Sequence, residues 1–130
     1  MNYQRKRDPA QIDAAAEQRR RENAAPRLSQ EAPALVSLRL TFEDLRRDDV
    51  SGGGGVTYAK PIVVATAPAY FDVRCMEPRC DGRHDLTAPI LKGLRAQLKT
   101  ASGRDACNGV VGGKMCDRTL AYGYEATYRG

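Results

Sequence analysis

The feature that most constrains this chain is its set of four cysteines, Cys75, Cys80, Cys107 and Cys116, all in the C-terminal half. They form two pairs, C-x4-C and C-x8-C, with 26 residues between Cys80 and Cys107. The first pair brackets Met76–Arg79 and the second Asn108–Met115. Both stretches are polar or glycine-rich, unlike the apolar strands in which a free thiol serves as a small core residue. Glycines in the second stretch let backbone approach an ion closely. Two thiolate pairs on two turns suit a tetrahedral metal site, and four thiolates satisfy Zn²⁺ with no further ligand. Four free thiols, or two disulfides, are the alternatives that composition leaves open.

Size and charge set the context. The chain has 130 residues, which suits one domain. Its first thirty or so residues hold almost nothing large and apolar, leaving roughly a hundred residues to fold, a size at which a metal cross-link helps. Residues 1–33 read as a basic N-terminal helix or arm with a linker, and residues 34–130 as the metal-binding domain. On that division, removing residues 1–30 is expected to cost little stability. The polar, basic start of the chain reads as no secretory signal. The longest mostly apolar run, Pro61–Phe71, is too short to span a bilayer. The expectation is a cytoplasmic protein with no membrane partner, and a reducing cytosol favours metal binding over disulfides.

Periodicity predicts an α+β fold. Asp8, Pro9 and the alanines Ala10 and Ala14–Ala16 predict an exposed helix over 8–25, with Asp8 capping and only Ile12 plus alanines on its apolar face. Pro26–Pro33 reads as the linker. Val36, Leu38, Leu40 and Phe42 alternate with polar residues and predict a half-buried strand. A charged connection from Leu45 to Val50 and a flexible loop at Gly52–Gly55 follow. Tyr58–Val73 reads as two short strands or one kinked at Pro68. Thr87–Thr100 predicts a helix capped by Thr87, with Ile90, Leu91, Leu94 and Leu98 inward and Lys92, Arg95 and Lys99 outward, ended by Ser102–Gly103. A short hairpin precedes a last strand, Arg118–Tyr128, that points Leu120, Tyr122, Tyr124, Ala126 and Tyr128 to one side. This order suits a small, mainly antiparallel sheet with one packed helix and a metal-clamped pair of turns. No internal repeat is visible.

Through its two cysteine turns the segment Cys75–Cys116 resembles the zinc-ribbon group, in which two such turns clamp one zinc. The turns here are longer than the family's usual C-x2-C, and the helix between the pairs is closer to a treble-clef-like arrangement. A second stretch, Pro78–His84, is similar to the P-x-C-D-G-x-H part of the CDGSH iron–sulfur family. That resemblance implies a [2Fe–2S] cluster with Cys80 and His84 among its ligands. The family's upstream C-x-C positions are here Ala69 and Phe71, and Arg83 replaces a small residue. Cys75 and either Cys107 or Cys116 would then have to supply the missing ligands. His84, the only histidine, is also a possible substitute in a Cys3His zinc set, or a neighbour outside the ligand shell.

Function is less constrained. The net charge of +5 is compatible with an anionic partner. Lys92, Arg95 and Lys99 on one helix face, and Arg19, Arg20 and Arg21 on the N-terminal arm, are the candidate contacts to nucleic acid or to a larger protein assembly. The helix row reads first as the solvated face of an amphipathic helix, and the arm is also readable as a solvated tail. Tyr122, Tyr124 and Tyr128 read either as a stacking platform for bases or as core. The glycine run at Gly52–Gly55 lacks the following Lys-Ser/Thr of a phosphate loop, and four thiolates would close a zinc to water and substrate. The expectation is a non-catalytic zinc-stabilised binding module with no small-molecule substrate. A protein–protein adaptor and a small iron–sulfur redox protein are the alternatives.

Overall fold

The computed structural model describes residues 9–46 and 56–130, with backbone alone at 9–14, 46 and 56. Asp8, the Arg5–Arg7 cluster and the Gly52–Gly55 loop lie outside the described residues. The order is α1 (Pro9–Ala24), α2 (Leu28–Glu31), β1 (Leu35–Arg46), β2 (Val56–Ile62), β3 (Asp72–Arg74), β4 (Arg83–Asp85), α3 (Thr87–Arg95), β5 (Thr100–Ala106), β6 (Val110–Val111), β7 (Lys114–Met115) and β8 (Arg118–Tyr128). The fold is α+β, as its periodicity predicts. A four-stranded antiparallel sheet runs β2-β1-β8-β5, and two small hairpins, β3-β4 and β6-β7, carry the cysteine turns.

The alternation in β1 and β8 explains the sheet's buried face. Leu38, Leu40 and Phe42 stand opposite Ala126, Tyr124 and Tyr122, so both apolar sets fall on one side. Together with Leu120 they enter a core that α3 joins through Ile90, Leu91 and Leu94. Tyr124 is buried and Tyr122 and Tyr128 pack against the core, so the tyrosine row is core and not a platform. Gly93 lies over Tyr124, where any Cβ would strike the phenol oxygen. That close approach is the reason the inward face of α3 carries a glycine.

Four expectations need correction. Val36 does not share the inner face. The register slips between Leu35 and Ser37, which makes Val36 the extra residue of a bulge and leaves it 53% exposed. The charged stretch after Phe42 is still strand: Leu45 and Arg46 pair with β8, and Asp44 is buried against Arg118. α3 stops at Arg95, not at Ser102–Gly103. Gln97 takes a left-handed φ of 55°, with Gln97 N–H donating to Leu94 O and Leu98 N–H to Gly93 O. This is a Schellman stop built on a residue other than glycine, which is why composition hides it. Leu98 is therefore exposed, Ser102 and Gly103 belong to β5, and Lys99 leaves the row of Lys92 and Arg95. Finally, Thr87 does not cap its helix. Its hydroxyl accepts from Phe71 N–H at 2.8 Å, while the Asp85 carboxylate accepts from Thr87 N–H at 3.1 Å.

The polar run Pro26–Pro33 also does more than connect. Leu28 is fully buried and Ala32 nearly so. Leu28 N–H donates to Ala67 O and Ala69 N–H to Pro26 O, stitching α2 onto the chain beside Pro68. Apolar burial thus begins before residue 34, and a truncation through residue 30 removes a core side chain. Leu28→Ala is expected to cost about 2–5 kcal/mol, the range for a leucine emptied from a packed core. Chemical denaturation followed by circular dichroism measures it; a loss below about 0.5 kcal/mol would place Leu28 outside the core.

Candidate metal centre

The four cysteines converge. Their Sγ atoms all lie within 4.8 Å of one another, and all four side chains are buried. Two of the contacts cross between the halves: Cys80 to Cys107 at 3.5 Å and Cys75 to Cys116 at 3.7 Å. Those separations exceed a disulfide bond of about 2.05 Å. They match the roughly 3.8 Å edge of a tetrahedron of thiolates about 2.3 Å from a central ion. The four cysteines can hold a metal ion.

The two halves of the centre are built alike. Cys80-Asp81-Gly82 and Cys107-Asn108-Gly109 make the same turn. In each, the glycine amide two residues on donates to the cysteine sulfur, Gly82 to Cys80 and Gly109 to Cys107, both at 3.3 Å. Each glycine carbonyl then accepts from the amide of the half's other cysteine: Cys75 N–H to Gly82 O at 3.0 Å, Cys116 N–H to Gly109 O at 2.9 Å. The glycine opens a strand, β4 or β6, and the partner cysteine closes the neighbouring strand, β3 or β7. Only the chain order differs, for Cys75 precedes its glycine while Cys116 follows. The two glycines also pack on each other. A Cβ on Gly82 would lie 2.5 Å from Cys107 Sγ and 2.8 Å from Gly109 N, and one on Gly109 would strike Cys80 Sγ. The Cys-Asx-Gly repeat is three residues long, too short to register as an internal repeat, and it is the signal that sequence reading passed over.

The electrostatics suit an ion. Burial pushes the Cys107 thiol up to about 11, and burial followed by the neighbouring thiols pushes Cys75 higher still. At Cys80 burial acts in the same direction, but the Gly82 amide and the surrounding thiols outweigh it and the value falls below that of a free thiol. Four thiolates around a divalent ion carry a net charge of −2. The two glycine amides aimed at sulfur spread part of that charge into the backbone. A concavity of about 520 Å³ beside Cys116 is lined by Arg79 and Lys114 as well as Glu77 and Asp117, so both signs of charge reach the outer side.

His84 is not in the sulfur group. It sits on β4 opposite Val73, 2% exposed, with Nδ1 2.7 Å from Asp105 Oδ2 on β5. Ala69 and Phe71, at the positions of the CDGSH cysteines, are buried core residues. The His84–Asp105 contact ties the first cysteine hairpin to the sheet. Arg118 forms the second tie: it is half-buried, pairs with the buried Asp44 of β1, and reaches Glu77 in the first cysteine turn at 3.5 Å. Neither tie is legible from the sequence, because each joins residues more than twenty positions apart.

The basic candidates are less free than their spacing implies. Arg20 and Arg21 both pair with Glu17, and Arg95 pairs with Glu31 at 2.6 Å. Arg19, Lys92 and Lys99 are exposed. Among the described residues no helix is long and apolar enough to cross a membrane. No protein-family model, curated protein or solved structure matches the chain.

Gly109→Ala is expected to weaken metal retention at least tenfold and to lower the melting temperature, because its Cβ meets sulfur and the facing glycine backbone. Ala at Gly113, where the left-handed φ costs strain but nothing lies within 4 Å, is expected to lower stability while leaving metal retention intact. Competition with a chelator on both variants measures the difference; equal retention would remove the glycine contact from the design of the centre.

Proposed function

We propose that the four cysteines hold one structural zinc ion and that the chain is a non-catalytic binding module stabilised by it. The observation that carries this reading is the closed group of four buried sulfurs. Four thiolates complete a tetrahedral shell, leaving no position for a water or a substrate. Such a group also disfavours a two-iron cluster, whose bridging sulfides spread the thiolates around two metals, and His84, the CDGSH-type ligand, is engaged with Asp105. The ion contributes folding energy, on the order of 10 kcal/mol in small zinc modules. The residues it would hold lie in hairpins of two or three residues per strand, which have almost no apolar core of their own.

The partner reading is nucleic acid or a nucleoprotein assembly. It is supported by the net charge of +5 and by the exposed cations Arg19 and Lys92, with Arg20, Arg21 and Arg95 half-occupied by carboxylates. On this reading binding is weakly sequence-selective and falls steeply with salt. Fluorescence anisotropy with labelled single- and double-stranded oligonucleotides at two salt concentrations tests it. No binding at low salt would transfer the function to a protein partner.

Metal analysis with an absorption spectrum on freshly purified protein tests the ion. The expected result is one zinc per chain and a colourless sample; iron with visible absorption, or no metal, would overturn it. Cys107→Ser is expected to abolish stoichiometric metal and sharply lower the melting temperature, whereas His84→Ala keeps one metal per chain and loses only the Asp105 contact. The pH dependence has a definite sign. Without metal, burial holds Cys75 and Cys107 protonated at neutral pH, so binding expels protons and apparent affinity rises with pH. Titration against a chromophoric chelator at pH 6 and pH 8 is expected to show tighter binding at pH 8; a flat profile would mean that thiols are not the ligands.

A further inference from the structure

The sheet order leaves β5 with one neighbour, β8, and among the described residues nothing pairs with its other edge. The two edges of this sheet are not alike. β2 carries Lys60 and Pro61, the residues that natural sheets use to blunt an edge. β5 reads Thr-Ala-Ser-Gly-Arg-Asp-Ala, seven residues with no proline, no lysine and no register shift against β8. An edge of this kind is a template for another strand.

The phase of its free groups is fixed. Lys99 O accepts from Ala126 N–H at one end and Cys107 N–H donates to Arg118 O at the other. Bonds in an antiparallel ladder recur every second residue, so the odd-numbered residues between them face β8. Thr100, Ser102 and Arg104 therefore turn their amides and carbonyls outward.

We propose that β5 pairs antiparallel with β5 of a second copy across a two-fold axis at Ser102, joining two four-stranded sheets into one of eight strands. This register makes Ser102 face Ser102, Thr100 face Arg104 and Ala101 face Gly103. It also sets Lys99 of each copy opposite Asp105 of the other, on the same side of the sheet, giving two opposite-charge pairs per dimer. Centring on Arg104 instead would oppose two arginines. The side chains along the seam are small or flexible, so the strands can approach. The exposed Leu98 lies just beyond one end of β5, and Ala106, also exposed, closes the other. Antiparallel pairing brings those ends together and gives each copy an apolar contact beside the backbone bonds. A seam of this length buries less than the roughly 800 Å² per partner of a standard interface, so the dimer is a weak, reversible one. The proposal does not depend on zinc as the ion or on a nucleic-acid partner.

Analytical ultracentrifugation of the full chain as purified, from about 1 to 200 µM with metal content measured on the same samples, is expected to show a monomer–dimer equilibrium. Ser102→Pro removes one outward amide and no bond to β8, so it is expected to weaken dimerisation more than tenfold with metal content and melting temperature unchanged. Lys99→Asp places like charges opposite at both ends of the seam and is expected to weaken it about tenfold. A monomer across the whole range would overturn the proposal, as would a dimer that both variants leave intact. Loss in Ser102→Pro alone would overturn the register at Ser102.

Discussion

The convergence of four sulfurs within 4.8 Å is the constraint on which the C-terminal half depends. The hairpins β3-β4 and β6-β7 have strands of two or three residues, far too short to persist as isolated pairs. The buried cluster at the turns is the four cysteines with Val111 packed alongside, while Val73 of β3 packs against the main core and His84 of β4 is buried. Apolar burial at the sulfur cluster itself is small, and a polyvalent ion among the thiolates would add to it. The main core is a separate cluster built from one face of the β1–β8 pairing, α2 and α3. The sheet is thus held by apolar packing, whereas the turns bring together four sulfurs that can hold a metal ion.

The two regions are linked by polar side-chain contacts. Arg118 joins Asp44 of the sheet to Glu77 of the first turn, and His84 on β4 joins Asp105 on β5. Removing Arg118 would leave the buried Asp44 carboxylate without its partner, which is costly. Both contacts join the first cysteine hairpin to the sheet. The glycine contact between Gly82 and Gly109 acts at shorter range, letting the two turns approach until the sulfurs form a tetrahedron.

Strong local patterns were legible from the residues. The alternation through Leu38–Phe42 and Leu120–Tyr128 identified the central strands, because one buried face and a period of two leave one solution. The cysteines identified the centre, because soft ligands in polar turns have little other use. Features set by tertiary pairing were not legible. The bulge at Val36, the left-handed Gln97, strand β5 and the ties made by His84 and Arg118 carry no periodic or compositional mark. Leu28 was hidden in the same way, as a lone leucine in a polar run.

By itself the sequence determined the α+β class, the central strands and the main helix, and marked the four cysteines as candidate ligands, since each rests on spacing and side-chain chemistry that short stretches express. Tertiary structure alone decided which sulfurs are neighbours, where α3 stops, what His84 binds and which sheet edge is left open. Those outcomes depend on contacts between residues far apart in the chain, where the energy of a packed or hydrogen-bonded pair overrides local preference.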